Sequence, residues 1–339
     1  MGNVWGRNIQ FTIFGESHGA AVGFALSGLP AGFAVDWDGV RAQMARRAPS
    51  GEAHSTARRE PDELEVLSGY FGGHTTGSPL AAIIRNADAR SGDYEPRFLR
   101  PGHADLPLYY KFGGFADYRG GGHSSGRLTA PLVAAGAIAG QYLAGMGITV
   151  AARAVSIGGY SDASGMADVI AQARADGDSV GGVIECRAGG VPPGLGDPFF
   201  DSIESAVAGM MFSIPAVKAV EFGEGFRFAG MRGSEANDPI GVSGGIIAPE
   251  TNRSGGANGG ITNGAELVFR VAIRPTPTIA APQRTADTKR AESVLHSFGG
   301  RHDVCVAPRA VPAVEGGAAL VLLDAALAHQ SIYGKGIAP

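Results

Sequence analysis

The chain has 339 residues, a formal net charge of −4 and 18% charged residues, with 28 Lys and Arg against 32 Asp and Glu. This balance excludes a protein that binds nucleic acid through a basic surface. Hydrophobic residues make up 44% of the chain, too many for a disordered protein, and the 54 glycines show no collagen period. Because no Pro- or Ser-rich linker divides the sequence, we expect one folded domain spanning residues 1–339.

The two cysteines, Cys186 and Cys305, lie far apart and belong to no CxxC or Cys/His pattern. The sequence therefore predicts no zinc site or other metal site and no disulfide scaffold, and it fits a reducing compartment. The first fifteen residues lack the charged-then-apolar order of a signal peptide. We expect a cytoplasmic protein.

Runs of β-branched and aromatic residues bounded by Gly or Pro predict strands, and apolar residues at helical spacing predict helices. In chain order these are strands Ile9–Phe14 and Val22–Leu26, helix Trp37–Arg47, strands Leu64–Leu67 and Leu80–Ile84, helix Ala130–Ala144, strand Ile148–Ala154, helix Met166–Arg174, strand Gly182–Cys186, helix Ser202–Met211, strands Val217–Phe222 and Leu267–Ile273, and helix Val311–Ala328. Asp36 and Asp201 are the expected N-caps of two of these helices. Without a strict βαβ rhythm, the order favours an α+β fold.

The segment between Arg127 and Arg153 has no charged residue and is long enough to span a bilayer. It consists largely of Ala and Gly, contains Gln141 and is broken by a Gly-Met-Gly sequence. These features indicate a buried helix of small residues followed by a strand, and we expect no membrane association.

Six predicted loops combine glycine with Arg, His and Ser, which a simple connection does not need. They are Gly15–Gly19, Arg46–Arg59, Arg100–Asp105, Tyr118–Arg127, Asn252–Gly264 and Gly299–Arg309. Glycine lets backbone amides approach an anionic ligand closely. The loops together predict one large polar pocket.

The sequence GESHG at residues 15–19 places Ser17 and His18 in a tight turn after a strand. It matches GxSxG by letters only, because a nucleophile elbow needs a helix directly after the turn and a strand is predicted here. His18 is either a structural histidine of the turn or a catalytic group, and the motif alone leaves both open.

The sequence GGGHSSGR at residues 120–127 supplies backbone amides, two hydroxyls and Arg127 just before a helix, an arrangement that suits phosphate. It is neither a Walker loop nor a dinucleotide fingerprint. RPGHAD (100–105), RPTPT (274–278) and GRHD (300–303) add further cations and histidines, although each alone is also typical of an ordinary turn. Of the 28 cations 24 are arginine, which reflects either genome bias or the capture of carboxylate and phosphate groups.

The motifs GESHG, RRxP, RREPD, RPGHAD, GGGxSSxR, VPPGLGDPxFD, VKxVEFGxGF, GGxxGGITNG, RPTPT and GRHD follow one another in this order from one end of the chain to the other. In this the sequence resembles the chorismate synthase family. The resemblance implies a 1,4-anti elimination of phosphate from 5-enolpyruvylshikimate 3-phosphate, dependent on reduced FMN although no net oxidation occurs. It also implies a β-α-β sandwich, with helices packed between antiparallel sheets, and a homotetramer.

The resemblance also assigns roles to individual residues. His18 would protonate the leaving phosphate, His103 would keep the reduced flavin correctly protonated, and Ser17 and Asp303 would form a proton relay to the flavin. The residues that would hold substrate anions are Arg47, Arg127 and Arg301. The residues that would hold FMN or line its site are Arg47, His123, Ser124, Ser125, Gly259, Arg274, Pro275, Thr276, Pro277, Thr278 and Arg301.

The chain departs from the family pattern at several of these loops. GGHSSGRLT stands where GGRSSARET is usual, so that His123 replaces Arg and Leu128 replaces Glu, and Ala48 and Ala53 stand at commonly basic positions. Lost cations weaken the binding of a polyanion. We therefore expect no intrinsic flavin reductase activity, with NADPH acting only indirectly through an external flavin reductase.

Two alternatives to chorismate synthesis stay open. A paralogue would carry out the same flavin-dependent elimination on a modified substrate, which the changes at His123 and Leu128 would accommodate. A non-enzymatic flavin-binding or structural relic would assemble into tetramers without turnover. Retention of His18, His103 and Asp303 argues against the relic.

Overall fold

The computed structural model describes residues 2–48, 62–87, 92, 95–299 and 302–334. Two antiparallel sheets form its outer layers. The first has the strand order β1-β2-β3-β7-β4, and a short hairpin, β5–β6, precedes β7. Their bounds are β1 Val4–Trp5, β2 Gln10–Gly15, β3 Ala21–Ser27, β4 Leu64–Ser68, β5 Tyr70–Phe71, β6 His74–Thr75 and β7 Leu80–Arg85.

The second sheet has the order β10-β15-β9-β8, and three short hairpins connect or follow its strands. The sheet strands are β8 Thr149–Ile157, β9 Gly182–Gly189, β10 Val217–Phe222 and β15 Leu267–Ile273. The hairpin strands are β11 Ile240–Ser243 with β12 Ile246–Pro249, β13 Ala257–Asn258 with β14 Ile261–Thr262, and β16 Gln283–Asp287 with β17 Glu292–His296.

The helices are α1 Trp37–Arg47, α2 Asp105–Phe112, α3 Thr129–Ala144, α4 Ala163–Ala175, α5 Ile203–Ser213, α6 Gly233–Ala236 and α7 Ala307–Tyr333. Helix α3 contacts strands of both sheets, and α7 packs against α3 and the second sheet. The α+β fold with helices between antiparallel sheets is therefore confirmed. One continuous hydrophobic core contains residues of both sheets and these helices. This core supports the single-domain organisation, which stays a prediction.

All predicted strands and helices are present, with ends shifted by a few residues. Asp36 caps α1 as expected, accepting hydrogen bonds from the backbone N–H groups of Asp38 and Gly39. The predicted cap at Asp201 is wrong. Ser202 caps α5 instead, because its side chain accepts from the N–H of Ser205, whereas Asp201 forms an ion pair with Arg7.

The uncharged segment between Arg127 and Arg153 forms α3 and the start of β8, and most side chains of α3 are buried. Within the described part of the chain, one helix, α7, is long and apolar enough to cross a membrane by length and composition. In the most apolar 18-residue stretch of this helix, 78% is buried inside the fold, as in a core helix.

Helices α3 and α7 meet at two glycines. A Cβ on Gly136 would lie 2.1 Å from the Cα of Gly316, which no structure tolerates without movement of the helices. One turn further along α3, a Cβ on Gly140 would meet only the Cβ of Ala319, at 3.9 Å. Close contact between the two helices therefore requires glycine at position 136 but not at position 140.

We expect Gly136→Ala to lower the free energy of unfolding by about 1–3 kcal/mol, because it overpacks the contact. The matched variant Gly140→Ala should be neutral or stabilising by up to about 1 kcal/mol, because alanine favours the helix more than glycine does. Chemical denaturation of both variants checks this. Equal effects at the two positions would contradict the role given to the Gly136 contact.

Candidate active site

A cavity of about 910 Å³ lies where the polar loops converge. Its walls come from the β2–β3 turn, the end of α1, the loop before α2, the glycine-rich loop before α3, the segment after β15 and the loop before α7. Four of the six predicted loops therefore contribute to one pocket, and a fifth, Arg46–Arg59, contributes Arg47 at the end of α1, while its residues 49–59 lie outside the described residues. The sixth, at Asn252–Gly264, does not line it.

Most of the residues proposed for catalysis and binding line this cavity. They are Ser17, His18, Arg47, His103, His123, Ser124, Ser125, Arg127, Arg274, Thr276, Pro277, Thr278 and Asp303. Pro275 lies between two lining residues, and Gly259 lies in the β13–β14 turn outside the wall. Arg301 and Ala53 fall outside the described residues. The roles assigned to all of these residues stay predictions.

A left-handed glycine turn separates the two histidines. Gly120, Gly121 and Gly122 have φ values of +58°, +83° and +55°. A Cβ on Gly120 would lie 2.6 Å from Cδ2 of His18, and one on Gly121 would lie 3.3 Å from Nε2 of His103. Glycine is needed here both for the backbone conformation and for the approach of the two rings.

His103 belongs to a compact group of side chains at the start of α2. Its Nδ1 lies 2.7 Å from Oδ1 of Asp105, and Arg100 donates from Nε and Nη2 to the two oxygens of the same carboxylate, each at 2.7 Å. Burial raises the pKa of Asp105, but the hydrogen bonds from Arg100 and His103 outweigh it and hold that pKa well below its usual value. Asp105 is therefore a carboxylate at any physiological pH.

Arg47 and Arg127 share the carboxylate of Asp62 at the cavity wall. All three side chains are almost completely buried, and Arg127 also donates to Oδ1 of Asn86 at 3.0 Å. Burial raises the pKa of Asp62, but the two guanidinium groups lower it below its ordinary value. Burial lowers the pKa of Arg47 to about 10, which Asp62 opposes, so this group stays positive at neutral pH. The cluster carries a net positive charge.

A second ion pair continues this wall. Arg309 donates from Nη1 to both oxygens of Asp303, at 3.1 and 2.9 Å, and from Nε to the backbone oxygen of Arg47 at 3.3 Å. It therefore links the loop before α7 to the end of α1. The pair holds the carboxylate of Asp303 in place at the cavity wall.

Three buried polar atoms of cavity residues have no hydrogen-bond partner among the described residues: Oγ of Ser17, Nη1 of Arg47 and Oγ1 of Thr276. Unpartnered buried polar groups are rare in folded proteins and costly. Two hydroxyls and a guanidinium nitrogen in this state indicate that the cavity receives a polar, anionic ligand.

The departures from the family pattern have structural consequences. Nδ1 of His123 donates to the backbone oxygen of Gly15 at 2.7 Å, which ties the glycine-rich loop to the β2–β3 turn. Leu128 is buried and also lines the cavity, and Ala48 ends α1 as its C-cap. His123 thus also stabilises the loop.

Sequence reasoning missed Asp62, Arg100, Asp105 and Arg309 as parts of the site. Asp62 lies in the motif RREPD, and Arg100 and Asp105 lie in RPGHAD. The motifs do not indicate which side chains pair with one another in the fold. Asp62 lies 15 residues from Arg47 and 65 from Arg127 in the chain, so no local spacing reveals that it joins them.

Comparison with known proteins identifies the family of the chain. A sequence model described as chorismate synthase matches residues 9–327. The chain belongs to the chorismate synthase family. Its members act as lyases. The chain is 46% identical to the chorismate synthase of Korarchaeum cryptofilum, over 95% of this chain and 97% of that protein. It is 47% identical to the chorismate synthase of Thermococcus gammatolerans, over 97% of this chain and 99% of that protein.

A bacterial relative and a solved structure extend the comparison. The chorismate synthase of Chitinophaga pinensis is 47% identical over 97% of both chains. A crystal structure of chorismate synthase superposes with a TM-score of 0.76 at 30% identity, over 96% of this chain and 93% of the other. Family membership and fold thus hold along nearly the whole sequence.

The shared carboxylate generates a stability prediction. We expect Asp62→Asn to lower the free energy of unfolding by about 3–5 kcal/mol at neutral pH, because it removes the negative charge that two buried guanidinium groups share. Since the pKa of Asp62 is lowered in the folded state, its contribution is complete above the unfolded pKa of about 4 and is lost as the pH falls through the folded pKa. The difference from the unmodified protein should therefore shrink in acid.

Denaturation curves from neutral pH down to acid measure this difference. The matched control is Asp38→Asn, which removes a carboxylate from an exposed pair with Arg41. It should cost less than about 1 kcal/mol at every pH. A cost at Asp62 no larger than at Asp38 would show that the buried cluster does not stabilise the fold.

Proposed function

We propose that the chain is a chorismate synthase in activity as well as in family: it converts 5-enolpyruvylshikimate 3-phosphate to chorismate and phosphate by 1,4-anti elimination, with reduced FMN and no net redox change. The single observation that carries this proposal is the cavity in which the Arg47–Asp62–Arg127 cluster and two histidines on either side of a glycine turn line one wall. The family relationship supplies the identity of the substrate.

The charge of the site suits this substrate, which carries two carboxylates and a phosphate. The Arg47–Asp62–Arg127 cluster has one positive charge in excess, and Nη1 of Arg47 is buried without a partner among the described residues. An arriving anion would satisfy that donor. We also assign substrate binding to Arg127, which lines the same wall. From the family pattern we assign it to Arg301 as well.

We assign the acid–base chemistry to residues that line the cavity near the glycine turn. We assign to His18 the proton that departs with phosphate, because a protonated phosphate is the better leaving group. We assign to Ser17 and Asp303 the removal of the proton that leaves the substrate carbon. The carboxylate of Asp303 accepts from Nη1 of Arg309, which orients it at the cavity.

The residues fit a flavin phosphate and ring. Ser124 and Ser125 of the glycine-rich loop line the cavity, and Oγ1 of Thr276 is a buried hydroxyl of the wall without a partner among the described residues. We assign FMN contacts to His123, Ser124, Ser125 and residues 274–278. When bound, reduced FMN supplies electron density for cleavage of the C–O bond. His103 exchanges protons at the same wall, and enclosure of the site strengthens these interactions.

The oligomeric state, the cellular location and the source of reduced flavin are also part of what we propose. We expect a cytoplasmic homotetramer whose flavin is reduced by a separate flavin reductase, with NADPH only as the indirect source of electrons. The alanine at position 48, where the family has a cation, supports the absence of a built-in reductase. Reduction of FMN by NADPH and the purified protein alone would contradict this part.

An anaerobic assay tests the reaction. The protein is mixed with 5-enolpyruvylshikimate 3-phosphate and dithionite-reduced FMN, and chorismate absorbance and phosphate release are followed together. Equal amounts of both products are expected. Absence of both at saturating FMN, with an active family member as positive control, would contradict the assignment, and a panel of modified substrates would then distinguish the paralogue from an inactive relic.

His18→Gln should lower turnover by about 10²–10⁴-fold, the usual contribution of a general acid, with the fold intact. The matched control is His74→Gln, because His74 is exposed and its Nδ1 contacts only the nearby oxygen of Gly72. Full activity is expected for this control. Unchanged turnover in His18→Gln would make His18 the structural turn histidine that the motif alone left open.

A further inference from the structure

We infer that Asp105 is a positioning residue for His103, fixing the hydrogen on Nδ1 of the imidazole so that Nε2 is the atom that exchanges protons in the cavity. The importance of this arrangement for turnover rests on the proposed function. The arrangement itself follows from hydrogen-bond chemistry in the described residues.

The carboxylate of Asp105 determines which nitrogen of His103 carries the hydrogen. An ionised carboxylate has acceptors only, and Arg100 donates to both of its oxygens. The contact of 2.7 Å between Oδ1 and Nδ1 of His103 therefore requires a hydrogen on Nδ1. In the neutral ring Nε2 is then the free acceptor.

Three further contacts hold the group rigid. The backbone N–H of Arg100 donates to Oδ2 of Asp105 at 3.0 Å, and the backbone N–H of His103 donates to the oxygen of Arg100 at 3.2 Å. On the opposite side the ring lies against Gly121, at the edge that carries Cε1 and Nε2. The imidazole is thus fixed from both sides, and Asp105 gains from lying at the positive N-terminus of α2.

An amide cannot replace this carboxylate. In Asp105→Asn one of the two oxygens becomes an NH₂ group, which cannot accept from Arg100. The Oδ2 position accepts two hydrogen bonds, from Nε and the backbone N–H of Arg100, whereas the Oδ1 position accepts one from Arg100, so we expect the amide oxygen to keep the Oδ2 position. The NH₂ group then takes the Oδ1 position beside Nδ1 of His103, and the hydrogen bond from Nη2 of Arg100 is lost. Nδ1 would then accept, the hydrogen would move to Nε2, and the cavity would meet a donor where it now meets an acceptor.

Nitrogen-15 NMR of the histidine rings tests this in the protein without ligands. At a pH where His103 is neutral, the unmodified protein should show the Nδ1–H tautomer and Asp105→Asn the Nε2–H tautomer, with the signal assigned by its loss in His103→Gln. The matched control is Asp287→Asn, which removes a carboxylate paired with Arg97 away from the cavity and should leave the His103 signal unchanged. The Nδ1–H tautomer persisting in Asp105→Asn would overturn the inference.

Turnover distinguishes positioning from a merely structural role. We expect Asp105→Asn to lower turnover by about 10²–10⁴-fold, as wrong-tautomer variants of carboxylate–histidine pairs do. In the His103→Gln background the same change should have an effect of less than about twofold, because residues that act through one another are not additive. A full additional loss in that background would show that Asp105 acts elsewhere. If the unmodified protein makes no chorismate while the tautomer shifts as expected, the proposed function fails and the positioning role stands.

Discussion

The carboxylate of Asp62 holds two guanidinium groups at one wall of the cavity, and the polar site depends on this contact. Arg47 comes from the end of α1 and Arg127 from the segment before α3, so the shared carboxylate fixes two elements that carry binding residues. Because one negative charge meets two positive ones, these three residues together carry one positive charge in excess. A buried ion cluster adds little net stability, and its value lies in presenting that charge in one orientation.

At the glycine turn and at the contact between α3 and α7, the absence of a side chain allows a close approach. At residues 120–122 missing side chains let two histidine rings approach the backbone, and at Gly136 a missing side chain lets α3 and α7 touch. The high glycine content therefore serves both the site and the core. In each case the position that needs glycine has a neighbour, such as Gly126 or Gly140, that does not need it for space.

Sequence periodicity located most strands of the two sheets and the core helices because each carries its own apolar pattern, but it did not predict α2, α6 or the short hairpins. The start of α5 was misplaced because Asp201 and Ser202 are both good caps, and only the ion pair with Arg7 takes Asp201 away from that role. The residues of the site came from ordered motifs rather than from any one of them. The bridge through Asp62 and the pairing of Asp105 with His103 needed coordinates, because charge pairing across a fold leaves no local pattern.

The central claim is that the positive cluster and the histidine pair together receive one polyanionic substrate. A crystal structure with 5-enolpyruvylshikimate 3-phosphate and FMN tests it most directly. We expect a substrate anion within hydrogen-bond distance of Nη1 of Arg47, the substrate phosphate beside His18, and the flavin against Ser124, Ser125 and Thr276. Substrate bound outside this cavity, or inside it with Nη1 of Arg47 still unpartnered, would contradict the account.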